Sequence, residues 1–119
     1  MDTAYAKYLP SIKKQWLTEQ AAWEQRRQQA WGIARQIAAM LRTVYGANQV
    51  IAFGSLTATG SFDYRSDIDL AVSGIPFDNF FRAYVDAMDL AQDFKLDLLD
   101  LADCSSSMRD SIMEKGILI

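Results

Sequence analysis

Two aspartates, Asp67 and Asp69, stand at alternate positions of the apolar segment 67–72. Aspartate is depleted in β-strands, yet the apolar residues of this segment alternate as a strand requires. Residues i and i+2 of a strand point to the same face, about 7 Å apart, so both carboxylates share one side. Carboxylates so placed repel each other unless a cation lies between them. The pair is therefore a candidate divalent-metal site, although an exposed strand face also accommodates it.

A second acidic segment, residues 95–101, predicts another strand with Asp97 and Asp100 inside an apolar run. Positions three apart in a strand lie on opposite faces, so only one of these aspartates can join the first pair. The more central position favours Asp97. We therefore expect Asp100 to point away from the site.

Gly54 and Ser55 follow a short apolar run, residues 50–53, that is typical of a buried strand. A Gly-Ser pair at this position is consistent with an ordinary turn, and also with a phosphate cradle. Glycine lets the backbone approach a ligand closely, and serine offers a hydroxyl and an N–H at a helix start. Three carboxylates facing such a cradle indicate two-metal phosphoryl transfer, and oxygen-only ligands favour Mg²⁺ or Mn²⁺.

The composition excludes several other chemistries. The 119 residues contain no histidine and a single cysteine, Cys104, which removes His-dependent hydrolysis, His-ligated zinc and an intrachain disulfide. The length suits one domain. With no signal peptide and no apolar run long enough for a membrane span, we expect a soluble, cytoplasmic protein without a membrane partner.

Charge is divided unevenly along the chain. Residues 1–49 carry a net charge of +4 and residues 50–119 a net charge of −7. An acidic second half disfavours nucleic acid as a partner and suits divalent cations. The basic first half is consistent with an acidic partner and equally with a solvated helix face.

The elements that must position these residues follow from periodicity. Residues 11–45 predict a helix, capped at Ser11, open to division at Gly32 and ended by Gly46. Its first part would project as an arm, which divides the chain into an arm at 1–32 and a domain at 33–119. Further predicted elements are a short helix at 56–60, a loop at 61–66, helices at 77–94 and 105–115, and strands at 50–53, 67–72, 95–101 and 117–119.

Two sets of aromatic residues lie on the predicted helices. On helix 77–94, one apolar face is expected to pack on the core, and it holds Phe77, Phe80, Phe81, Tyr84, Met88 and Ala91. On the first helix, the tryptophans are either partner anchors or parts of the chain's own core. They are Trp16, Trp23 and Trp31.

The combined motif resembles the minimal nucleotidyltransferases of the DNA polymerase beta superfamily. The matching segments are Phe53-Gly54-Ser55, residues 66–72 and residues 96–100. The resemblance implies an α/β (α+β) fold, in which helices pack on a small mixed sheet. It also implies Mg²⁺ or Mn²⁺ as cofactor and ATP as substrate. The residues that it assigns are Asp67, Asp69 and Asp97 as catalytic, metal-binding acids, and Gly54 and Ser55 as nucleotide-binding residues.

Some relatives in this family act as antitoxins that transfer AMP to a tyrosine of a HEPN-type toxin, and the resemblance implies this partner. Alternatives are a non-catalytic module that binds a partner by contact alone, and a nucleotidyltransferase acting on a small molecule or an RNA end. A homo-oligomer formed through the first helix is a further expectation.

Two features depart from the family pattern. Eleven residues separate Ser55 from Asp67, where the common antitoxin pattern has ten, and Leu56 stands where many members have arginine. Arg65 or Lys95 could supply the positively charged side chain that is absent at position 56.

Overall fold

The computed structural model describes residues 3–58, 62–63 and 65–119, with side chains from residue 10 onward. Within these described residues, three helices and four strands follow one another, with a 3₁₀ turn after β1 (Gly54–Thr57) and another after β3 (Leu101–Asp103). The helices and strands are α1 (Thr3–Tyr45), β1 (Gln49–Phe53), β2 (Ile68–Ser73), α2 (Phe77–Ala91), β3 (Leu96–Asp100), α3 (Ser106–Lys115) and β4 (Ile117–Leu118).

The four strands form one mixed sheet in the order β3-β2-β1-β4. β1 pairs antiparallel with β2 and with β4, whereas β2 and β3 are parallel. α2 makes the crossover between the two parallel strands, as such a connection requires. The predicted fold class, a small mixed sheet with helices packed on it and a long N-terminal helix, is confirmed.

Both faces of the sheet are covered by helices, but to different extents. On one face, apolar side chains of β1, β2 and β3 pack with α1 and α2 in the main core, which includes Val50, Ala52, Ile68, Leu70, Val72 and Leu98. On the other face, a smaller cluster joins the sheet to α3, and it consists of Ile51, Ala71, Leu101 and Ile112. The smaller cluster leaves part of its face uncovered.

α1 is one continuous helix, so its predicted start at Ser11 and its division at Gly32 are wrong. Glycine within a helix costs about 1 kcal/mol, but Ala30, Trp31 and Ala34 beside Gly32 are buried against the body, and their packing holds the helix together. The sequence also predicted a boundary between an arm and a domain at residue 32. The helix continues across this residue, and the organisation into arm and domain stays a prediction. The predicted end is confirmed, since Gly46 has a φ of 73° and donates to the Arg42 carbonyl at 3.2 Å.

α2 buries only part of its predicted face, since Ala91 is buried whereas Phe77 and Phe81 are exposed. Its buried residues are Ala83, Ala87 and Ala91, which belong to the same core as Ala30, Ala34 and Ala38 of α1. Small side chains let two helices approach closely, and this contact turns Phe77, Phe81 and Met88 outward. Phe81 is 79% exposed, while Phe80 and Tyr84 pack at the edge of the core.

Other boundaries differ by a few residues. α2 ends at Ala91 rather than at residue 94, where Gln92 adopts a φ of 55°. Ser105 caps α3 as predicted, since its hydroxyl accepts from the Met108 N–H at 3.2 Å. Of the predicted short helix at 56–60 and loop at 61–66, residues 59–61 and 64 lie outside the described residues. Among the described residues, no helix combines the length and the apolarity that crossing a membrane requires.

Candidate active site

The aspartates of β2 and β3 meet across the sheet. In the parallel pairing of these strands, Asp69 lies directly opposite Asp97, and in the antiparallel pairing it lies opposite Phe53. Residues opposite each other in a ladder project to the same face. Asp67 immediately precedes β2 and, two residues from Asp69, belongs to that face as well. The fold thus places all three predicted site acids on one sheet face.

α3 determines how exposed these acids are. It covers the half of this face that holds Ile51 and Ala71 and leaves the half with the aspartates open. Asp69 and Asp67 are consequently half-buried, whereas Asp97 is exposed. The result is an acidic shelf that is accessible to a ligand from solvent.

The carboxylates influence one another electrostatically. Burial, the largest cause, together with the charges of Asp97 and then Asp67, raises the pKa of Asp69 from 3.8 to about 6. A divalent cation would relieve this repulsion, and a set of carboxylate oxygens suits Mg²⁺ or Mn²⁺. Within the described ranges, however, no group of three or more Asp, Glu, Cys or His side chains is arranged so that it could hold a metal ion. The metal-binding role of the three aspartates stays a prediction.

Gly54 brings the backbone of the first 3₁₀ turn against Asp69. Its φ is 73°, in the left-handed region that favours glycine. A Cβ at this position would collide with Oδ2 of Asp69 and would lie 3.3 Å from its Cγ. Gly54 of the Gly-Ser turn and Asp69 of the Asp-x-Asp pair, which are 15 residues apart in sequence, are therefore in direct contact.

The 3₁₀ turn after β1 is fixed to α1. The side chain of Leu56 is fully buried, and its carbonyl accepts a 2.8 Å hydrogen bond from Nε of Arg27. Arg27 also donates to Glu24 at 2.9 Å and is only 11% exposed. Within the turn, the Thr57 hydroxyl donates to the Gly54 carbonyl at 2.8 Å. No sequence signal points to this role of Arg27, because an arginine on α1 fits a solvated helix face equally well.

A second turn holds the chain where it enters β2. Ser66 Oγ accepts from the Asp63 N–H at 2.9 Å, and the Asp63 carboxylate accepts from the Arg65 N–H at 2.8 Å. The Ile68 N–H then donates to the Lys95 carbonyl at 2.8 Å, which begins the pairing of β2 with β3. These contacts position Asp67 between two anchored segments.

Asp100 is directed elsewhere, as expected from its spacing. It lies opposite Val72, one face away from Asp97, and its carboxylate accepts from the Ala102 N–H at 3.0 Å. Asp100 therefore caps the second 3₁₀ turn and does not take part in the acidic shelf.

A glycine-serine turn packed beside an Asp-x-Asp strand, on a small mixed sheet, defines the class of nucleotidyltransferases. The family described as Polymerase beta, Nucleotidyltransferase matches residues 35–119, more than two thirds of the sequence. The chain belongs to this family.

Solved structures support the same fold. A structure described as a candidate minimal nucleotidyltransferase superposes with a TM-score of 0.55 at 20% identity, covering 83% of this chain and 94% of that one. A chain from a crystal structure of the toxin–antitoxin pair MntA–HpeT, in a mutant with two aspartates changed to glutamate, has a TM-score of 0.56 at 20% identity. That match covers 71% of this chain and 70% of the other. No curated protein matches the sequence significantly.

Proposed function

We propose that the protein transfers a nucleoside monophosphate, AMP from ATP, to a hydroxyl group with the help of Mg²⁺. The observation that carries this proposal is the contact between the Gly54 backbone and the Asp69 carboxylate, with Asp97 directly opposite. It joins a phosphate cradle to a cluster of acids. Family membership supports the transferase class.

Each residue of the site has a role in this reaction. Gly54 and Ser55 hold the triphosphate through backbone N–H groups and the serine hydroxyl. Asp67 and Asp69, with Asp97, would hold the divalent ions, which would supply charge stabilisation at the attacking and leaving oxygens. Asp97, the most exposed of the three, takes the proton of the acceptor hydroxyl. The hydroxyl oxygen bonds to the α-phosphorus, the bond to the bridging oxygen breaks, and pyrophosphate leaves.

As acceptor we propose a tyrosine of a HEPN-type toxin, for which this protein would be the antitoxin. The similarity to a chain of a toxin–antitoxin structure supports a toxin partner. We place the reaction in the cytoplasm, which suits the free thiol of Cys104.

The amino-terminal half of α1 is the surface that we propose for a protein partner, either the toxin or a second copy of this chain. Trp31 is only 6% exposed and belongs to the core, whereas Trp16 is 55% exposed beside exposed Ile12 and Leu17. Trp23 is half-buried. Exposed aromatic residues on a projecting helix have the composition of interface anchors.

Incubation with α-labelled ATP, Mg²⁺ and the product of the adjacent reading frame tests this function. We expect label on the partner protein with the wild type and none with Asp69→Asn. Transfer that persists in this variant would contradict the assigned role of Asp69. Inhibition of the partner without any transfer would instead favour the non-catalytic binding module.

A further inference from the structure

A cavity of about 280 Å³ opens beside Asp67, on the side of β2 away from the Gly54–Thr57 turn. The site described above does not use this cavity, apart from its shared wall at Asp67. It is smaller than most pockets for whole cofactors or drug-sized ligands and fits a single charged group on a short stem. Its lining residues are Arg26, Arg65, Ser66, Asp67, Asp93 and Lys95.

The lining of the cavity contains three cations and two acids. Within the part of the chain that the structure describes, neither Arg26 nor Lys95 forms an ion pair with a carboxylate. Cations that line a concave surface without neutralising partners raise the local potential and attract anions. A divalent ion on Asp67 would cancel one of the two acids and make the cavity more positive.

Arg26 reaches the cavity from α1 and is held in place there. Its guanidinium lies over the ring of Phe94, with Cζ 4.2 Å from the ring centroid, and its buried Nε has no hydrogen-bond partner among the residues that the structure describes. Phe94 immediately precedes Lys95 and β3. A stacked guanidinium is immobilised without losing its outward-facing donors, so little entropy is lost when an anion binds.

The order of the strands shows on which side of the proposed reaction site this cavity lies. The Gly54–Thr57 turn follows β1, whereas Lys95 precedes β3, and β2 with its aspartates lies between them. Adjacent residues of a helix point about 100° apart, so Arg27 contacts the turn while Arg26 reaches the β3 side. In phosphoryl transfer the attacking and leaving oxygens are roughly in line. If the turn holds the leaving group, the acceptor approaches from the side of the cavity.

We propose that this cavity binds an anionic group of the acceptor, a carboxylate or a phosphate next to the hydroxyl that receives the nucleotide. This inference rests on the proposed function, because that function defines on which side of the site the acceptor binds. The cavity would then select acceptors whose reactive hydroxyl has a negatively charged neighbour, and Arg26 and Lys95 would be its specificity-determining residues.

Binding of short peptides to the full chain tests the proposal. The chain is saturated with Mg²⁺ and a non-hydrolysable ATP analogue, and three peptides are titrated by NMR: acetyl-Tyr-Glu-amide, acetyl-Tyr-phosphoserine-amide and acetyl-Tyr-Gln-amide. We expect at least one anionic peptide to bind about tenfold more tightly than the neutral one, the size expected for a charge-assisted contact. The two anionic peptides distinguish a carboxylate from a phosphate.

The double variant Arg26→Met/Lys95→Met should lose this preference while its affinity for the ATP analogue stays unchanged. Methionine keeps the apolar stem over Phe94. Lys13→Met/Lys14→Met, which removes two charges from the exposed arm, should behave as the wild type. If the Arg26 change impairs folding, Lys95→Met alone should reduce the tenfold preference to about fivefold or less, and this exposed side chain can be changed without affecting the core.

Equal binding of all three peptides by the wild type would overturn the proposal, as would a preference that survives in the cavity variants. A fall in affinity for the ATP analogue in those variants, absent from the arm variant, would assign the cavity to the nucleotide instead. If the wild type fails to bind the ATP analogue, the proposed function fails. The peptide titration without nucleotide then still decides whether the cavity prefers anions.

Discussion

Asp69 is harder to ionise than an ordinary aspartate, because it is half-buried and two further carboxylates, Asp97 and Asp67, share its sheet face. Between the unfolded pKa of about 4 and the folded pKa of about 6, the folded chain holds a proton that the unfolded chain has lost. The free energy of unfolding therefore falls as the pH rises through that window, because the folded chain must give up the proton of Asp69. The folded site is less stable when all three carboxylates are ionised, and a bound cation would offset their mutual repulsion.

The first prediction is that Asp69→Asn raises the melting temperature at pH 7.5 and abolishes nucleotide transfer. Asparagine removes the repelling charge and, with it, a ligand for the metal. Thermal unfolding at pH 4.5 and 7.5 should show a smaller pH dependence than in the wild type. Asp110→Asn on exposed α3 should change neither property. A lower melting temperature for Asp69→Asn at pH 7.5 would contradict the electrostatic argument.

The second prediction separates backbone strain at Gly54 from its contact with Asp69. Gly54 and Gly46 both have a φ of 73°, but only at Gly54 would a Cβ meet another residue. Gly46→Ala should cost about 1 kcal/mol of unfolding free energy and leave nucleotide binding intact. Gly54→Ala should cost more and weaken binding of Mg²⁺–ATP, because Asp69 must move. If both variants lose the same free energy of unfolding in chemical denaturation and still bind the nucleotide, the contact between Gly54 and Asp69 is unimportant.

At the scale of elements, α1 does more than support the sheet. It fixes the Gly54–Thr57 turn through Arg27, whose Nε donates to the Leu56 carbonyl. Leucine at position 56, unusual for the family pattern, packs into the core while its carbonyl serves as the anchor. The helix therefore sets the position of the loop that we propose for the triphosphate.

The third prediction is that Arg27→Met raises KM for ATP about tenfold, with kcat changed far less. The turn would lose its anchor in the free protein, and binding ATP would have to order it again. Arg27→Lys, which keeps a donor near the carbonyl, should recover part of the loss. Arg35→Met serves as the control, because the Arg35 guanidinium lies over the Trp31 ring, about two helical turns further along α1 than Arg27. A drop in kcat with unchanged KM would argue against a positioning role.

At the scale of the whole molecule, the long first helix gives the chain an extended shape of 66 × 30 × 18 Å. Its amino-terminal half exposes Trp16 and Leu17 to solvent and contributes little to the core. An arm of this kind gains stability only when something packs on it.

The fourth prediction is that Trp16→Ala weakens binding of the protein partner by more than about 2 kcal/mol, the range of interface anchors. The melting temperature should stay within about one degree, because Trp16 lies outside the described core. Trp16→Ala/Trp23→Ala should weaken binding further. Sedimentation of the chain alone and with the proposed toxin partner shows which association is affected. Normal binding combined with easier unfolding would assign the arm tryptophans to the core.

The fifth prediction concerns ligand linkage. A ligand that binds only the folded state at 100 times its dissociation constant stabilises it by about 2.7 kcal/mol. Mg²⁺ with a non-hydrolysable ATP analogue should therefore raise the melting temperature of the wild type by several degrees and leave that of Asp69→Asn unchanged. Equal shifts in both proteins would place the nucleotide away from the acidic shelf.

The sequence by itself determined the features that depend on local spacing. A period of two places Asp67 and Asp69 on one face, and it separates Asp97 from Asp100 wherever the strand lies in the sheet. Glycine at position 46 marked a helix end for the same local reason, since a left-handed residue is needed there.

Tertiary structure alone decided which surfaces meet. Nothing local selects Ala83 and Ala87 over Phe77 and Phe81 as the buried face of α2, because that choice depends on the alanines that α1 presents. The same holds for Arg27, since its acceptor is a carbonyl 29 residues away. Contacts over such distances depend on how the helices and the sheet pack, because residue spacing along one element cannot specify which side of another element it meets.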